Sequence, residues 1–159
     1  MSALASTEPL HAADLARQVG ETMFAADRAS RETMGMELVG CEPGRATMRM
    51  QVQALHLNGH QICHGGFIFT LADSTFAFAC NSHNRNTVAA GCSIEFLKPA
   101  HLDDVLTCTG VEQTLQGRHG IYDMTVSNQR GQVVALFRGK SAQIAGHVVP
   151  ETPVSGDAP

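Results

Sequence analysis

The 159-residue chain has no tryptophan, a single tyrosine, and aromatic residues amounting to only 5%. That scarcity removes the stacking platforms on which single-stranded nucleic acid is held. Charge is sparse too: 16% of residues are charged, the net charge is −4, and no basic excess is present to meet a phosphate backbone. We expect no nucleic-acid partner. No C-x-x-C occurs, and the five cysteines, at 41, 63, 80, 92 and 108, are odd in number. Thiols behaving as small apolar residues in a reducing cytosol fit this pattern. No apolar run is long enough to cross a bilayer. The opening residues, MSALASTEPLHAADLARQ, lack a basic start followed by an apolar stretch. The expectation is a cytoplasmic protein with no membrane partner.

What the chain does contain is a 43% hydrophobic share, enough for an ordinary core, in a length that suggests one domain. Residues 1–11 read as a frayed polar lead, 12–145 as the domain, and 146–159, rich in Pro and Gly, as a disordered tail. Leu15, Val19, Met23 and Phe24 recur at helical spacing, so an amphipathic helix is expected from Ala12 to Arg28, starting near Ala13 or Asp14. Met36–Cys41 is a short strand. After the turn Glu42-Pro43-Gly44-Arg45, residues Ala46, Met48, Met50 and Val52 alternate with polar partners through Gln53, as a half-buried antiparallel strand does. A loop over 54–63 leads into an apolar helix over 64–81. Four more strands are expected at about 88–97, 104–116, 120–128 and 132–144, separated by Gly- and Pro-marked turns. A helix apolar on every side must be wrapped, and a curved antiparallel sheet of five or six strands can wrap it. The fold class is α+β.

The densest chemistry lies at the start of that apolar helix. Asn58-Gly59-His60-Gln61-Ile62-Cys63-His64-Gly65-Gly66 forms a polar, glycine-marked turn, and Asp73 follows inside a run otherwise reading Phe67, Ile68, Phe69, Leu71, Ala72, Phe76. A carboxylate on a buried helix is costly unless paired, hydrogen-bonded or used. Backbone amides at a helix N-terminus are fixed donors helped by the helix dipole, and Gly65-Gly66 leaves them uncovered for a carbonyl oxygen. Asp73 can act as general base or as nucleophile. Asn58 can position water or the carbonyl. This set is what hydrolysis of a thioester asks for. Gly65 and Asp73 are eight residues apart, about 12 Å along a helix, too far to act on one carbon. If both act, Asp73 comes from a second copy, and a two-fold dimer has two shared sites.

The same nine residues, continuing Phe67-Ile68-Phe69-Thr70-Leu71-Ala72-Asp73-Ser74, resemble the hotdog-fold acyl-CoA thioesterases, most closely the branch acting in bacterial phenylacetic-acid degradation. Phe96-Leu97-Lys98-Pro99-Ala100 and Leu136-Phe137-Arg138-Gly139-Lys140-Ser141 are similar as well, so the resemblance spans about residues 12–145. It implies a hotdog fold with 64–81 as the central helix and a homodimer, commonly paired into a tetramer. The implied substrate is phenylacetyl-CoA or a ring-hydroxylated relative, hydrolysed without metal or added cofactor. Asp73 matches the catalytic acid, the Gly65 N–H the carbonyl-polarising group, and Asn58 an orienting polar position. His64 and Gly66 flank them. Some relatives carry a further hydroxyl on the strand after the helix, where Ala89, Ala90 and Gly91 stand here, so Ser74 and Thr75 are the substitutes within reach of Asp73. Arg118, Arg138 and Lys140 are the candidates for the coenzyme A phosphates.

Four rival readings follow from the same residues. His56, His60 and His64 recur every four residues like a ligand set, but Gly59 and Gly65 break any helix that would align them. Cys63 beside His64 has the look of a thiol and its base, without a third orienting group. A hotdog hydratase needs an Asp and a His across the double bond, and a non-catalytic acyl-CoA sensor would bind without turnover.

Overall fold

The computed structural model describes residues 8–150. Six strands form one antiparallel sheet: β1 Met36–Glu42, β2 Arg45–Gln51, β3 Thr87–Phe96, β4 Val105–Gln116, β5 His119–Ser127 and β6 Val133–Gln143. Their order across the sheet is β1-β2-β4-β5-β6-β3. Two α-helices accompany it, α1 Glu8–Ala26 and α2 Gly65–Asn81. The second is the central helix, lying along β2, β4 and β5. This is the hotdog arrangement expected from the sequence.

The sheet follows from the alternation. Ala46, Met48, Met50 and Val52 are all at most 1% exposed and face α2, while Arg45, Arg49 and Gln51 face out. The turn glycines Gly44 and Gly131 adopt φ of 69° and 73°, a region other residues enter at a cost, which fixes these reversals in place. The floor beneath the helix is thin: a Cβ on Gly139 would fall 2.8 Å from the Phe76 ring, so a glycine is needed there for α2 to lie close. Phe76 is 1% exposed and packs on Tyr122 and Phe137 with ring centroids 5.6 and 5.9 Å away.

At its far end α2 is tied to the next strand. The Asn81 side chain accepts the Thr87 N–H and donates to the Thr87 carbonyl, both at 2.9 Å. Ser82 Oγ accepts the Gly44 N–H at 2.7 Å, linking the helix end to the β1–β2 turn.

Two boundaries differ from expectation. Helix α1 starts at Glu8, not near Ala13, and so takes in residues 8–11 of the expected lead. Pro9 stands in its first turn, where a missing N–H breaks no helical bond. Residues 146–150 of the expected tail pack on the domain: Asn84 accepts the Val149 N–H at 2.9 Å and donates to its carbonyl at 3.1 Å, and Val149 is 5% exposed. The remaining residues of the lead and tail, 1–7 and 151–159, lie outside the described residues.

Candidate active site

The loop before α2 is held by Asn58. Leu57 and Cys63 pair as an isolated antiparallel bridge. Inside it, the Asn58 N–H donates to the Ile62 carbonyl at 2.8 Å and the Gln61 N–H to the Asn58 carbonyl at 3.0 Å. The Asn58 side-chain oxygen accepts the His60 N–H at 2.9 Å and the Ile62 N–H at 3.4 Å. These bonds hold Gln61 at φ 60°, a left-handed conformation that a non-glycine residue adopts only when its surroundings impose it. Asn58's oxygen is committed to the turn, while its Nδ2 donates to no described residue. Asn58 and Gly65 line a cavity of about 450 Å³ together with Cys63, Phe96, Leu97 and Lys98.

The first turn of α2 presents one uncommitted donor. His64 caps the helix, its Nδ1 accepting the Gly66 N–H at 2.9 Å, so the neutral ring carries its proton on Nε2. The Phe67 N–H donates to the His64 carbonyl at 3.0 Å. No described residue accepts the Gly65 N–H, which stands at the positive end of a 17-residue helix. A Cβ on Gly65 would lie 3.0 Å from the Phe96 ring. The glycine therefore keeps both the donor and the space in front of it open.

Asp73 lies two turns on. It is half-buried and makes no hydrogen bond or ion pair with any described residue, and that burial holds its carboxyl above the ordinary value of 3.8. Its side of the helix corrects the expectation that α2 is buried all round. Gly66, Thr70, Asp73 and Ala77, spaced four, three and four apart, form a stripe left partly open in the single chain. Gly65 and Asp73 belong to one unbroken helix, so one chain does not bring them to a common atom.

The other expected site residues separate. Ser74 faces the π-helical turn Ala29–Thr33: its Oγ meets Ser30 Oγ at 3.0 Å, and Ser30 in turn donates to Asp27 at 2.6 Å. Thr75 is fully buried, its hydroxyl donating to the Leu71 carbonyl at 2.7 Å, so it faces the sheet and not a substrate. Arg138 and Lys140 share the outer face of β6, as period two requires, which is the face away from α2. Arg138 is engaged there by Asp123 at 2.6 and 2.7 Å. Arg118 sits in the β4–β5 turn, at the end of the sheet where His119 pairs with Ala142 and Thr87 with Gln143. None of the three lines the Asn58–Gly65 cavity. Lys98 does, and sequence reasoning passed over it although it stood inside a quoted motif. Its side of the sheet depends on Phe96 pairing with Ala135 across strands far apart in sequence.

The thiol–imidazole reading of Cys63 and His64 fails on geometry. The Cys63 Sγ donates to the His64 backbone carbonyl at 3.7 Å, and burial pushes its thiol up to about 11. The three histidines do not converge either. His56 is fully buried, His60 is exposed, and His64 caps the helix. No helix among the described residues is long and apolar enough to cross a membrane.

The family model described as the thioesterase superfamily matches residues 60–135. The acyl-coenzyme A thioesterase PaaI of Escherichia coli K12 is 43% identical over 123 residues, spanning 77% of this chain and 88% of that protein. The solved structure of the E. coli PaaI protein from the phenylacetic acid degradation operon superposes with a TM-score of 0.82 at 41% identity, covering 85% of this chain and 97% of that one. A hypothetical thioesterase from Streptococcus pneumoniae, solved with coenzyme A, matches at TM-score 0.72 and 26% identity, covering 80% of this chain and 97% of its own. With a similarity of this extent, the chain belongs to the hotdog-fold thioesterase superfamily, on the PaaI branch.

Proposed function

We propose that the protein hydrolyses phenylacetyl-CoA, or a ring-hydroxylated aryl-acyl-CoA, to the free acid and coenzyme A, in the cytoplasm and with no cofactor beyond the coenzyme A of its substrate. The observation that carries the reading is the pair of uncommitted groups on α2. The Gly65 N–H has no acceptor, and the Asp73 carboxylate has no partner. The names of the E. coli relative and of the coenzyme A-bound streptococcal structure support the substrate class.

A thioester carbonyl oxygen at the Gly65 N–H is polarised by a fixed donor in a partly dry site, where such a donor acts more strongly than in water. Asp73 then either takes a proton from the attacking water or attacks the carbonyl carbon itself. In both routes the C–S bond breaks, the thiol leaves with a proton, and water supplies the second oxygen of the acid. The free Asn58 Nδ2 orients the carbonyl or the water.

Because one helix carries both groups about 12 Å apart, the site is shared across a homodimer. Strand β3 supports this. It is one of the sheet's two edges, with one neighbour only, and every residue from Val88 to Phe96 except Ile94 is exposed. An apolar edge with a free row of backbone groups pairs readily with another strand. A second copy joined there in antiparallel fashion continues the sheet and sets the two open α2 stripes against each other. A two-fold axis that crosses α2 between Phe69 and Thr70 sets Gly66 of one copy against Asp73 of its partner. Pairing of two such dimers into a tetramer follows the family pattern.

The test is release of free thiol from phenylacetyl-, hydroxyphenylacetyl-, hydroxybenzoyl- and aliphatic acyl-CoA, with Asp73→Asn beside wild type. Aryl-selective release lost in the variant supports the reading. Binding without release from any substrate makes the protein a sensor instead.

A further inference from the structure

A second cavity, of about 340 Å³, flanks the start of α2, lined by Met34, His64, Gly66, Phe67 and Thr70. The two cavities differ in chemistry. The first holds the Lys98 cation and the free Asn58 amide. The second has no Asp, Glu, Lys or Arg, and the Thr70 hydroxyl in its wall already donates to the Gly66 carbonyl at 2.8 Å.

Its walls are rigidly mounted. The Phe67 ring lies 4.7 Å from the His56 ring and 6.3 Å, edge to face, from the His64 ring. His56 is itself fixed: its Nδ1 accepts the Gln53 N–H at 3.1 Å and its carbonyl accepts the His64 N–H at 2.8 Å. Met34 follows a single π-helical turn, Ala29–Thr33, of the kind that recurs at functional sites. The Ser30–Ser74 bond pins that turn to α2.

A thioester whose oxygen rests on the Gly65 N–H extends in two directions. Its phosphate-bearing arm is stabilised on the side that offers a cation, and its uncharged acyl group on the side that offers none. Resting on the thioesterase reading above, we infer that the acyl group enters the Met34–Phe67 cavity and the thiol arm the Lys98 cavity, and that Met34 sets the size of acyl group accepted. The volume is sufficient, since a cavity of about 150 Å³ holds benzene. The position is also right: Gly66 and Thr70 stand on the same helix stripe as Asp73, the side from which the partner's carboxylate arrives.

The experiment compares kcat/KM for acetyl-, phenylacetyl- and decanoyl-CoA in wild type, Met34→Trp, Met34→Phe and Met34→Ala, each checked for a native melting transition. Filling the cavity should lower the phenylacetyl-to-acetyl ratio about tenfold or more, and emptying it should raise the decanoyl-to-acetyl ratio about tenfold, in line with the worth of one to a few methylenes in an apolar pocket. Lys98→Ala should raise KM for all three substrates together and leave the ratios in place. If Met34→Trp does not fold, Met34→Phe against Met34→Ala decides. Folded variants whose ratios stay within twofold of wild type, or move in one direction for both large and small residues, overturn the assignment while leaving the thioesterase reading intact. No thiol release by wild type from any of the three overturns that reading, and the assignment with it.

Discussion

Gly65 and Asp73 stand on one unbroken helix, eight residues and about 12 Å apart, the first with an N–H that no described residue accepts and the second with a carboxylate that no described residue engages. Two such groups left open on an otherwise packed helix are what a reaction shared between two copies requires. A carboxylate held half-buried without a partner stabilises nothing in the fold. Asp73→Asn should therefore lower kcat/KM by at least about a hundredfold, the order seen when a general base or nucleophile is removed, with a melting temperature equal to or above that of wild type. A large fall in melting temperature would show that Asp73 serves the fold.

Acid acts on Asp73's chemistry and on Asp73's contribution to stability with opposite signs. Burial raises the Asp73 carboxyl, and its action as base or nucleophile needs the ionised form, so kcat/KM should climb with pH through a midpoint above 3.8. The folded chain also holds that proton more tightly than the unfolded one, so Asp73's contribution to stability falls as pH rises from 3.8 through the raised value. Burial lowers His56 from its ordinary 6.5, and the folded chain then binds fewer protons there than the unfolded one. Its contribution is therefore present above 6.5 and is lost as pH falls from there through the lowered value. Chemical denaturation across pH 4–8 should show the His56 slope flatten in His56→Gln and the Asp73 slope vanish in Asp73→Asn.

Gly65→Ala tests the donor. Its Cβ meets the Phe96 ring at 3.0 Å and crowds the N–H. We expect kcat/KM to fall by about 10²-fold, the scale for loss of one oxyanion donor, with a melting temperature close to wild type because Phe96, 53% exposed, can turn aside. Steady-state kinetics and calorimetry on the same preparation check both halves.

The helix end offers a purely structural counterpart. Asn81→Ala leaves the N–H and carbonyl of buried Thr87 without their 2.9 Å partners. At about 1–3 kcal/mol for each of the two buried unsatisfied groups, the variant should lose about 2–6 kcal/mol by urea denaturation.

The sequence shows most of the fold because its periods are clean. Ala46 to Val52 alternate without exception, and α2 is apolar over more residues than a strand holds. Asp73 and Gly65 were legible for the same reason: each breaks a local pattern, one as a charge in an apolar run and the other as a doubled glycine at a helix mouth. What escaped was decided by partners distant in the chain. Arg138 reads as a free cation until the β5–β6 register places Asp123 opposite it. Ser74 and Thr75 are neighbours of Asp73 in sequence, yet successive helix positions point about 100° apart, toward the Ala29–Thr33 turn and the sheet. Val149 is held by Asn84, 65 residues away, in a segment whose Pro and Gly content gives no hint of packing. The Met34 wall needed a π-turn that no periodicity announces.

The shared site is tested most directly by mixing two damaged subunits. Gly65→Ala and Asp73→Asn chains carrying different tags are co-expressed, and the mixed dimer is isolated by both tags. In a site built from Gly65 of one copy and Asp73 of the other, the mixed dimer has one site with both lesions and one with neither. Its thiol release should return to about half of wild type per dimer, far above either damaged homodimer. A mixed dimer no more active than its parents would place both groups of each site on one chain and contradict the account.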